Sequence, residues 1–174
     1  MKKLGFGLMR LPTQEIDGEK KIDIEQLKEM VDTFLARGFT YFDTAYMYHD
    51  YQSEHIVKEV LVDRHPRESF LLASKLPCSF LKEEGDQERI FAEQLQKCGV
   101  EYFDFYLMHA MTWERHKKYK QLNCYEIAKQ LKAEGKIRHI GFSFHDSPEN
   151  LEKILNDCGE EIEVVQLQFN YADY

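Results

Sequence analysis

Apolar positions along the chain alternate between two patterns. Short apolar runs with the length of a buried strand are followed by longer stretches whose apolar residues keep the three- to four-residue spacing of an amphipathic helix. The strand-like runs cover residues 4–10, 40–43, 70–75, 102–108, 137–143 and 164–168. Strand and helix alternate with a period of about 30 residues, which is typical of parallel strand–helix units.

Capping residues mark where several helices are expected to begin. Four positions precede helical stretches and have the side chains preferred at helix N-termini: Asp23, Ser53, Asn123 and Ser147. Glu126 is placed to complete a capping box with Asn123, and Pro148 suits the first helical position after Ser147. The polar segment between Pro12 and Asp23 is interpreted as a loop. The last helix is predicted to bury Leu151, Ile154 and Leu155.

Two architectures fit this alternation, an open doubly wound sheet and a parallel (β/α)₈ barrel of the TIM type. The first strand lacks the GxGxxG phosphate fingerprint, because the chain reads GFGLMRLP at residues 5–12. That absence weighs against the dinucleotide-binding form of the open sheet. At 174 residues, we expect one domain over residues 1–174.

Composition narrows the class of protein. The formal net charge of -8 argues against nucleic acid as a partner, because phosphate binding needs clustered Lys and Arg. No stretch has the length of a signal peptide core or a membrane span, so we expect a cytoplasmic protein without a membrane partner. The four cysteines lack metal-ligand spacing and are predicted to be free thiols: Cys78, Cys98, Cys124 and Cys158. We predict no metal site.

Polar residues stand at the carboxyl ends of four predicted strands. Asp43 follows the second strand, Lys75 ends the third, His109 follows the fourth and Ser143 ends the fifth. In a parallel barrel those ends converge on one face, so these four side chains are expected to meet there. The remaining histidines are predicted to be solvated or to make local hydrogen bonds: His49, His55, His65, His116, His139 and His145.

This set of side chains suits the reduction of a carbonyl group. A carbonyl that accepts hydride becomes an alkoxide, so the site needs a proton donor and groups that stabilise negative charge. Three tyrosines near Asp43 could supply the donor: Tyr46, Tyr48 and Tyr51. A phenol is a weak acid with a reference pKa of about 10, and an adjacent ammonium such as Lys75 would stabilise its phenolate. Asp43 would hold the lysine, and His109 would orient the carbonyl.

The motifs around these residues resemble the aldo-keto reductase family, in its prokaryotic branch, over residues 4–174. The sequence FDTAYMY at 42–48, with Ser-Glu at 53–54, is similar to the family's D-T-A-x-x-Y motif. LASK at 72–75 and YLMH at 106–109 resemble the strands that end in the family's lysine and histidine. The resemblance implies Asp43, Tyr48, Lys75 and His109 as catalytic residues and NADP(H) as the cofactor, with a small aldehyde or ketone as substrate.

Further matches concern the cofactor. GKIRHIGFS at 135–143 is similar to a family stretch whose serine contacts the nicotinamide carboxamide, although Phe144 follows where asparagine is usual. Gln166 falls where the family places a glutamine beside the nicotinamide ring. The cofactor-binding positions implied by the resemblance are Gly7, Met9, Arg10, Asp43, Ser143 and Gln166.

The family's barrel has eight strands, whereas the pattern predicts about six of the eight βα units in this chain. We therefore expect an incomplete barrel that lacks the last two units, which in the family carry the loop gripping the cofactor phosphates. Nothing corresponds to the cysteine-rich iron–sulfur segment that the branch often adds, so no iron–sulfur cluster is predicted. Exposed strand edges in such a barrel would favour self-association.

Two other function classes stay open beside the reductase. A catalytically inactive barrel fragment that serves as a scaffold or interaction module would also lack the phosphate-gripping units. A metal-dependent barrel hydrolase has little support, because no His-x-His or bridging carboxylate pattern occurs in the sequence.

Overall fold

The computed structural model describes residues 2–170. In chain order its strands are β1 (Gly5–Gly7), β2 (Thr13–Ile16), β3 (Glu19–Ile22), β4 (Tyr41–Asp43), β5 (Leu71–Leu76), β6 (Phe103–Met111), β7 (Ile137–Phe144) and β8 (Val164–Leu167). The α-helices are α1 (Ile24–Ala36), α2 (Ser53–Val57), α3 (Asp86–Cys98), α4 (Trp113–Gln121), α5 (Cys124–Ala133) and α6 (Pro148–Cys158). A π-helical turn, Lys58–Val62, continues α2, and 3₁₀ turns occupy Arg67–Ser69 and Cys78–Phe80.

Six parallel strands form one curved sheet in the order β1-β4-β5-β6-β7-β8. Every neighbouring pair is parallel, and each connection between consecutive strands of this sheet contains a helix. The predicted incomplete parallel β/α barrel of the TIM type is confirmed. Strands β1 and β8 are the two edges of the arc.

Two of the predicted helix caps are confirmed. The Asp23 side chain accepts a hydrogen bond of 2.9 Å from the Gln26 amide at the start of α1. Ser147 accepts one of 3.3 Å from the Asn150 amide, with Pro148 in the first turn of α6. Both helices therefore begin where their otherwise unpaired amides find a side-chain oxygen.

The other two capping predictions need correction, because Ser53 is not an N-cap, and Asn123 is the N-cap of α5 as predicted but forms no capping box. Ser53 is the first residue of α2 rather than its N-cap, and it is buried. Its hydroxyl bonds to the Thr44 hydroxyl at 2.7 Å and donates to the Leu8 carbonyl at 3.1 Å. Asn123 occupies the N-cap of α5 with a left-handed backbone, φ 55°, and its amide donates to Glu84 instead of forming a capping box. In both cases a tertiary partner displaces the local one.

The structure contains a hairpin and a helix that the sequence analysis did not identify. Strands β2 and β3 pair antiparallel across Asp17 and Gly18, whose positive φ angles of 54° and 78° form the turn. This Asp-Gly pair is a recognised hairpin signal that could have identified the element in the supposed loop. Helix α4 is so polar that it lacks apolar periodicity, although it buries His116 and Tyr119.

Two burial predictions need correction in the helices. In α6, Ile154 is buried as expected, but Leu155 is 37% exposed. His116 was expected to be solvated or locally bonded, yet it is fully buried. Its ring nitrogens contact the Tyr125 hydroxyl at 2.7 Å and the Asp157 carboxylate at 2.8 Å, so it links α4, α5 and α6.

The core lies between the sheet and its helices. Each of the four central strands contributes a large side chain that is completely or almost completely buried: Phe42, Leu72, Phe103 and Phe142. All four cysteines are free and buried, as the free-thiol prediction required, and burial raises the pKa of Cys124 to about 12. Within residues 2–170, no helix is both long and apolar enough to cross a membrane.

An ion network ties the strands together at their amino ends. Asp104 is 1% exposed, and its carboxylate accepts hydrogen bonds from Arg67 at 2.6 Å, Arg138 at 2.9 Å and the Leu72 amide at 2.9 Å. The two guanidinium groups also lie 4.0 Å and 4.2 Å from the centre of the Tyr102 ring. This network connects β5, β6 and β7 on the face opposite the catalytic candidates.

We expect Asp104→Asn to lower the free energy of unfolding by about 3 kcal/mol, because it leaves Arg67 partly buried without its counter-charge. Arg138→Gln is the matched control. The Arg138 side chain is 53% exposed, so its removal should cost below about 1 kcal/mol. Urea denaturation of both variants measures the difference, and equal losses would contradict this assignment.

Candidate active site

The parallel sheet brings the four selected strand-end residues to one face. Asp43 is the last residue of β4, Lys75 lies next to the end of β5, and Ser143 lies next to the end of β7. His109 lies within β6, which extends three residues beyond the predicted end at Met108. The parallel pairing of β4 with β5, β5 with β6 and β6 with β7 places the carboxyl ends of these strands side by side.

The Lys75 ammonium is the centre of the site. Its side chain is 1% exposed, and Nζ donates to Asp43 Oδ1 at 2.5 Å, the Thr44 carbonyl at 2.8 Å and the Tyr48 hydroxyl at 3.2 Å. Three acceptors satisfy the three protons of an ammonium group. A charge buried this deeply is stable only with such compensation, so the contacts hold Tyr48 and Asp43 close to Nζ.

Asp43 is oriented from its other oxygen. Oδ2 accepts a hydrogen bond from Gln166 Nε2 at 3.1 Å and a longer one from the Tyr41 hydroxyl at 3.3 Å. Burial, followed by the nearby Asp43 charge, raises the pKa of Tyr41 well above its usual range, so Tyr41 remains a donor. Gln166 belongs to β8, and its contact links the carboxylate to a strand 123 residues away in the chain.

His109 faces Tyr48 across the site. The two ring centroids are 5.8 Å apart with an interplanar angle of 79°, and Nδ1 is buried without a hydrogen-bond partner among residues 2–170. Burial and the positive charge of Lys75 lower the pKa of His109 to about 3. The imidazole is therefore neutral at physiological pH and keeps one N–H to donate.

An irregularity in β6 aims the His109 segment. Ala110 has a positive φ of 52°, and its amide donates to Ser143 Oγ at 2.7 Å instead of continuing the regular ladder. The Tyr119 hydroxyl accepts from the His109 amide at 3.1 Å and donates to the Leu76 carbonyl at 2.8 Å. Tyr119 thus supports His109 from the unpredicted helix α4, and no local pattern in the sequence signalled that contact.

The site opens into a cavity of about 390 Å³. It is lined by Met9, Arg10, Asp43, Tyr48, His109, Ser143, His145, Gln166, Leu167 and Gln168. Of the six residues predicted to bind a cofactor, five meet here. Gly7 is not among the lining residues; it pairs with Asp43 in the β1–β4 register, and a side chain there would meet no atom within 4 Å.

Three lining residues were not selected from the sequence: His145, Leu167 and Gln168. Each lies at or within one residue of the carboxyl end of β7 or β8. Leu167 and Gln168 already lie at the end of the predicted strand 164–168, and a strand-end rule extended to two residues would have included His145 after the predicted end at Ser143.

The neighbouring tyrosines take other roles. Tyr46 donates to Glu93 at 3.1 Å, and Tyr51 packs its ring against Phe80 with centroids 6.0 Å apart. Among these three tyrosines, only the Tyr48 hydroxyl bonds to Lys75.

A second buried polar cluster supports the Lys75 strand from behind. Glu54 Oε1 accepts from Ser74 at 2.7 Å and from Gln94 at 2.5 Å, and the Gln94 amide also donates to the Lys75 carbonyl at 3.1 Å. Glu54 Oε2 receives no hydrogen bond from the described part of the chain. Burial raises the pKa of Glu54 above its ordinary value. Across residues 2–170, no three side chains of His, Cys, Asp or Glu converge as metal ligands.

The sequence matches the model of the aldo/keto reductase family over residues 3–174. It is 26% identical over 159 residues to an aldo-keto reductase of Mycolicibacterium smegmatis, and 30% identical over 168 residues to a Glycine max protein named probable aldo-keto reductase 1. These matches cover 90% and 87% of this chain but 50% and 43% of the relatives. The chain therefore spans about half the length of the curated relatives it matches.

Solved structures show the same fold. An aldo-keto reductase from Klebsiella pneumoniae, in complex with NADPH, is 24% identical with a TM-score of 0.72. The holo form of an aldo-keto reductase from Bacillus halodurans is 23% identical with a TM-score of 0.73. Each comparison covers 95% of this chain and 53% of the other.

We expect His109 to stay neutral from pH 8 down to pH 4, since burial and the charge of Lys75 lower its pKa from the ordinary value of 6.5 to about 3. Nitrogen-15 NMR of the imidazole measures its protonation, with an unstructured histidine peptide as control. Because the folded pKa lies below the unfolded one, this residue's contribution to stability is present above pH 6.5 and is lost as pH falls toward 3. A titration midpoint near 6.5 would contradict the burial argument.

We expect Glu54→Gln to remove a pH-dependent loss of stability. The folded pKa of Glu54 is raised, so its contribution is fully present below the unfolded pKa and is lost as pH rises through the folded one. Thermal unfolding at pH 5 and pH 8 should show a smaller decrease for Glu54→Gln than for the native chain. The control is Glu152→Gln on the exposed face of α6, and an equal effect of both variants would count against the prediction.

Proposed function

Because this chain belongs to the aldo/keto reductase family, we propose that it carries out hydride transfer between NADP(H) and the carbonyl group of an aldehyde or ketone. The supporting observation is the buried Lys75 ammonium, which lies within hydrogen-bond distance of both Asp43 and Tyr48. The chain spans about half the length of the curated relatives that carry the family name.

Tyr48 is the proposed general acid. Reduction places negative charge on the carbonyl oxygen, and the phenol hydroxyl supplies the proton that converts this alkoxide into an alcohol. The Lys75 ammonium, 3.2 Å from the hydroxyl oxygen, stabilises the phenolate that remains. Asp43 keeps the ammonium in place, so the three residues act as one proton-donating unit.

His109 is proposed to orient the substrate. A neutral imidazole can donate its N–H to the carbonyl oxygen without bringing a second positive charge next to Lys75. Its T-shaped packing against Tyr48 places both donors around the same region of the cavity.

The cavity has the side chains expected for a nicotinamide cofactor. Ser143 and Gln166 present hydrogen-bonding groups for a carboxamide, and Met9 and Arg10 form a further part of the cavity wall. When bound there, NADPH would supply the hydride. The Klebsiella pneumoniae relative, whose structure was solved with NADPH, supports the choice of this cofactor.

We expect Tyr48→Phe to lower turnover by about a hundredfold or more, the contribution of a positioned general acid, while NADPH affinity stays unchanged. Fluorescence titration with NADPH, and with NADH for comparison, measures binding, and NADPH oxidation with a panel of aldehydes and ketones measures turnover. Tyr46→Phe is the matched control, since its hydroxyl bonds to Glu93 rather than Lys75.

Undiminished turnover in Tyr48→Phe would refute its role as the acid. A native chain that binds neither nucleotide would favour the alternative of an inactive barrel module.

A further inference from the structure

The cavity wall formed by Met9 and Arg10 belongs to the segment between β1 and β2, and this segment is secured on both sides. Before it, the Leu8 amide donates to the Asp43 carbonyl at 2.8 Å, and the Leu8 carbonyl accepts from the buried Ser53 hydroxyl at 3.1 Å. After it, Leu11 is buried. Met9 itself is 51% exposed, so its own packing does not hold the segment.

The second attachment is made by His49. Its Nε2 accepts a hydrogen bond of 2.7 Å from the Leu11 amide, across 38 residues of sequence. A ring nitrogen accepts only when it carries no proton, so this contact selects the tautomer with the proton on Nδ1. His49 was expected to be solvated or to bond locally, and this long-range contact corrects that prediction.

His49 also directly follows the proposed acid. The backbone is left-handed at three consecutive residues, His49, Asp50 and Tyr51, with φ of 49°, 50° and 69°. Residues other than glycine rarely adopt this conformation. Three consecutive left-handed residues need external restraint. The Ser53 amide donates to the Tyr48 carbonyl at 3.1 Å and the Gln52 amide to the His49 carbonyl at 3.0 Å, which closes the turn.

We propose that His49 is a positioning residue that fastens the Met9–Arg10 wall of the cavity to the turn carrying Tyr48. The hydrogen bond to Leu11 makes the cofactor side and the proton-donating side of the site one rigid unit. This inference rests on the proposed function for its kinetic consequence, because Met9 and Arg10 matter to turnover only if they contact the nucleotide. The attachment of the segment to the turn rests only on the hydrogen bond between the Leu11 amide and His49 Nε2.

The first test measures the Leu11 amide directly. In His49→Ala, hydrogen exchange of this amide should become about tenfold faster, the effect of losing one hydrogen bond to a buried group. In His49→Gln, the side-chain oxygen can replace Nε2 as acceptor, and exchange should return toward the native rate. Both substitutions place an ordinary side chain at the same left-handed position, so backbone strain is matched between them.

Nitrogen-15 NMR of the native chain provides a second, independent readout. Nε2 of His49 should show the chemical shift of an unprotonated ring nitrogen and Nδ1 that of a protonated one. The opposite tautomer would overturn the proposal.

The kinetic test separates positioning from general destabilisation. His49→Ala should raise the Michaelis constant for NADPH by about tenfold while the turnover number changes far less, and His49→Gln should restore the native value. His55→Ala, an exposed histidine on α2, is the control and should match the native chain. Loss of turnover with an unchanged Michaelis constant, or a His49→Gln variant as impaired as His49→Ala, would overturn the proposal.

The two hypotheses fail in different ways. If the native chain does not bind NADPH, the proposed function is refuted, and Leu11 exchange still decides the role of His49. If NADPH binds and Tyr48→Phe is inactive, but Leu11 exchange is the same in the native chain and His49→Ala, the function stands and the role of His49 is refuted.

Discussion

The site depends on the burial of one positive charge. An ammonium removed from water is stable only if each proton finds an acceptor and the charge finds a counter-ion. Lys75 meets both requirements with Asp43, the Thr44 carbonyl and the Tyr48 hydroxyl. These contacts require β5 to lie close to the end of β4 and to the turn that follows it. Strand β8 must also lie nearby, because Gln166 donates a hydrogen bond to Asp43.

The two ends of the sheet serve different purposes. At the amino ends, Asp104 is enclosed by two guanidinium groups and a backbone amide, which connects three strands without an open cavity. At the carboxyl ends, the polar groups around Lys75 face a cavity, and strained positions such as Ala110 and the turn after Tyr48 occur there. Strain at one face is compatible with a stable fold because the opposite face and the core supply the packing.

Periodicity located the six parallel strands because a buried parallel strand is apolar on both faces, and its pattern is local. Periodicity missed α4, because its few buried side chains stand among charged residues. Residue type alone misassigned Ser53 as a cap, because its hydroxyl bonds to Leu8 and Thr44, which are distant in the sequence. The strand-end rule selected Asp43, Lys75, His109 and Ser143 because parallel topology alone brings such residues together.

The sequence by itself determined the order of the six parallel strands and of most of the helices between them, the parallel barrel class, the family resemblance and the candidate site residues. Those features follow from residue type and spacing, which act over a few neighbours in the chain. Only the tertiary structure decided that Tyr48 rather than Tyr46 or Tyr51 bonds to Lys75, that His109 is neutral, and that Leu11 bonds to His49. These three features depend on burial and on contacts between residues that are distant in the chain. A shift of about one ångström would break such a contact, and residue type and local spacing do not specify it.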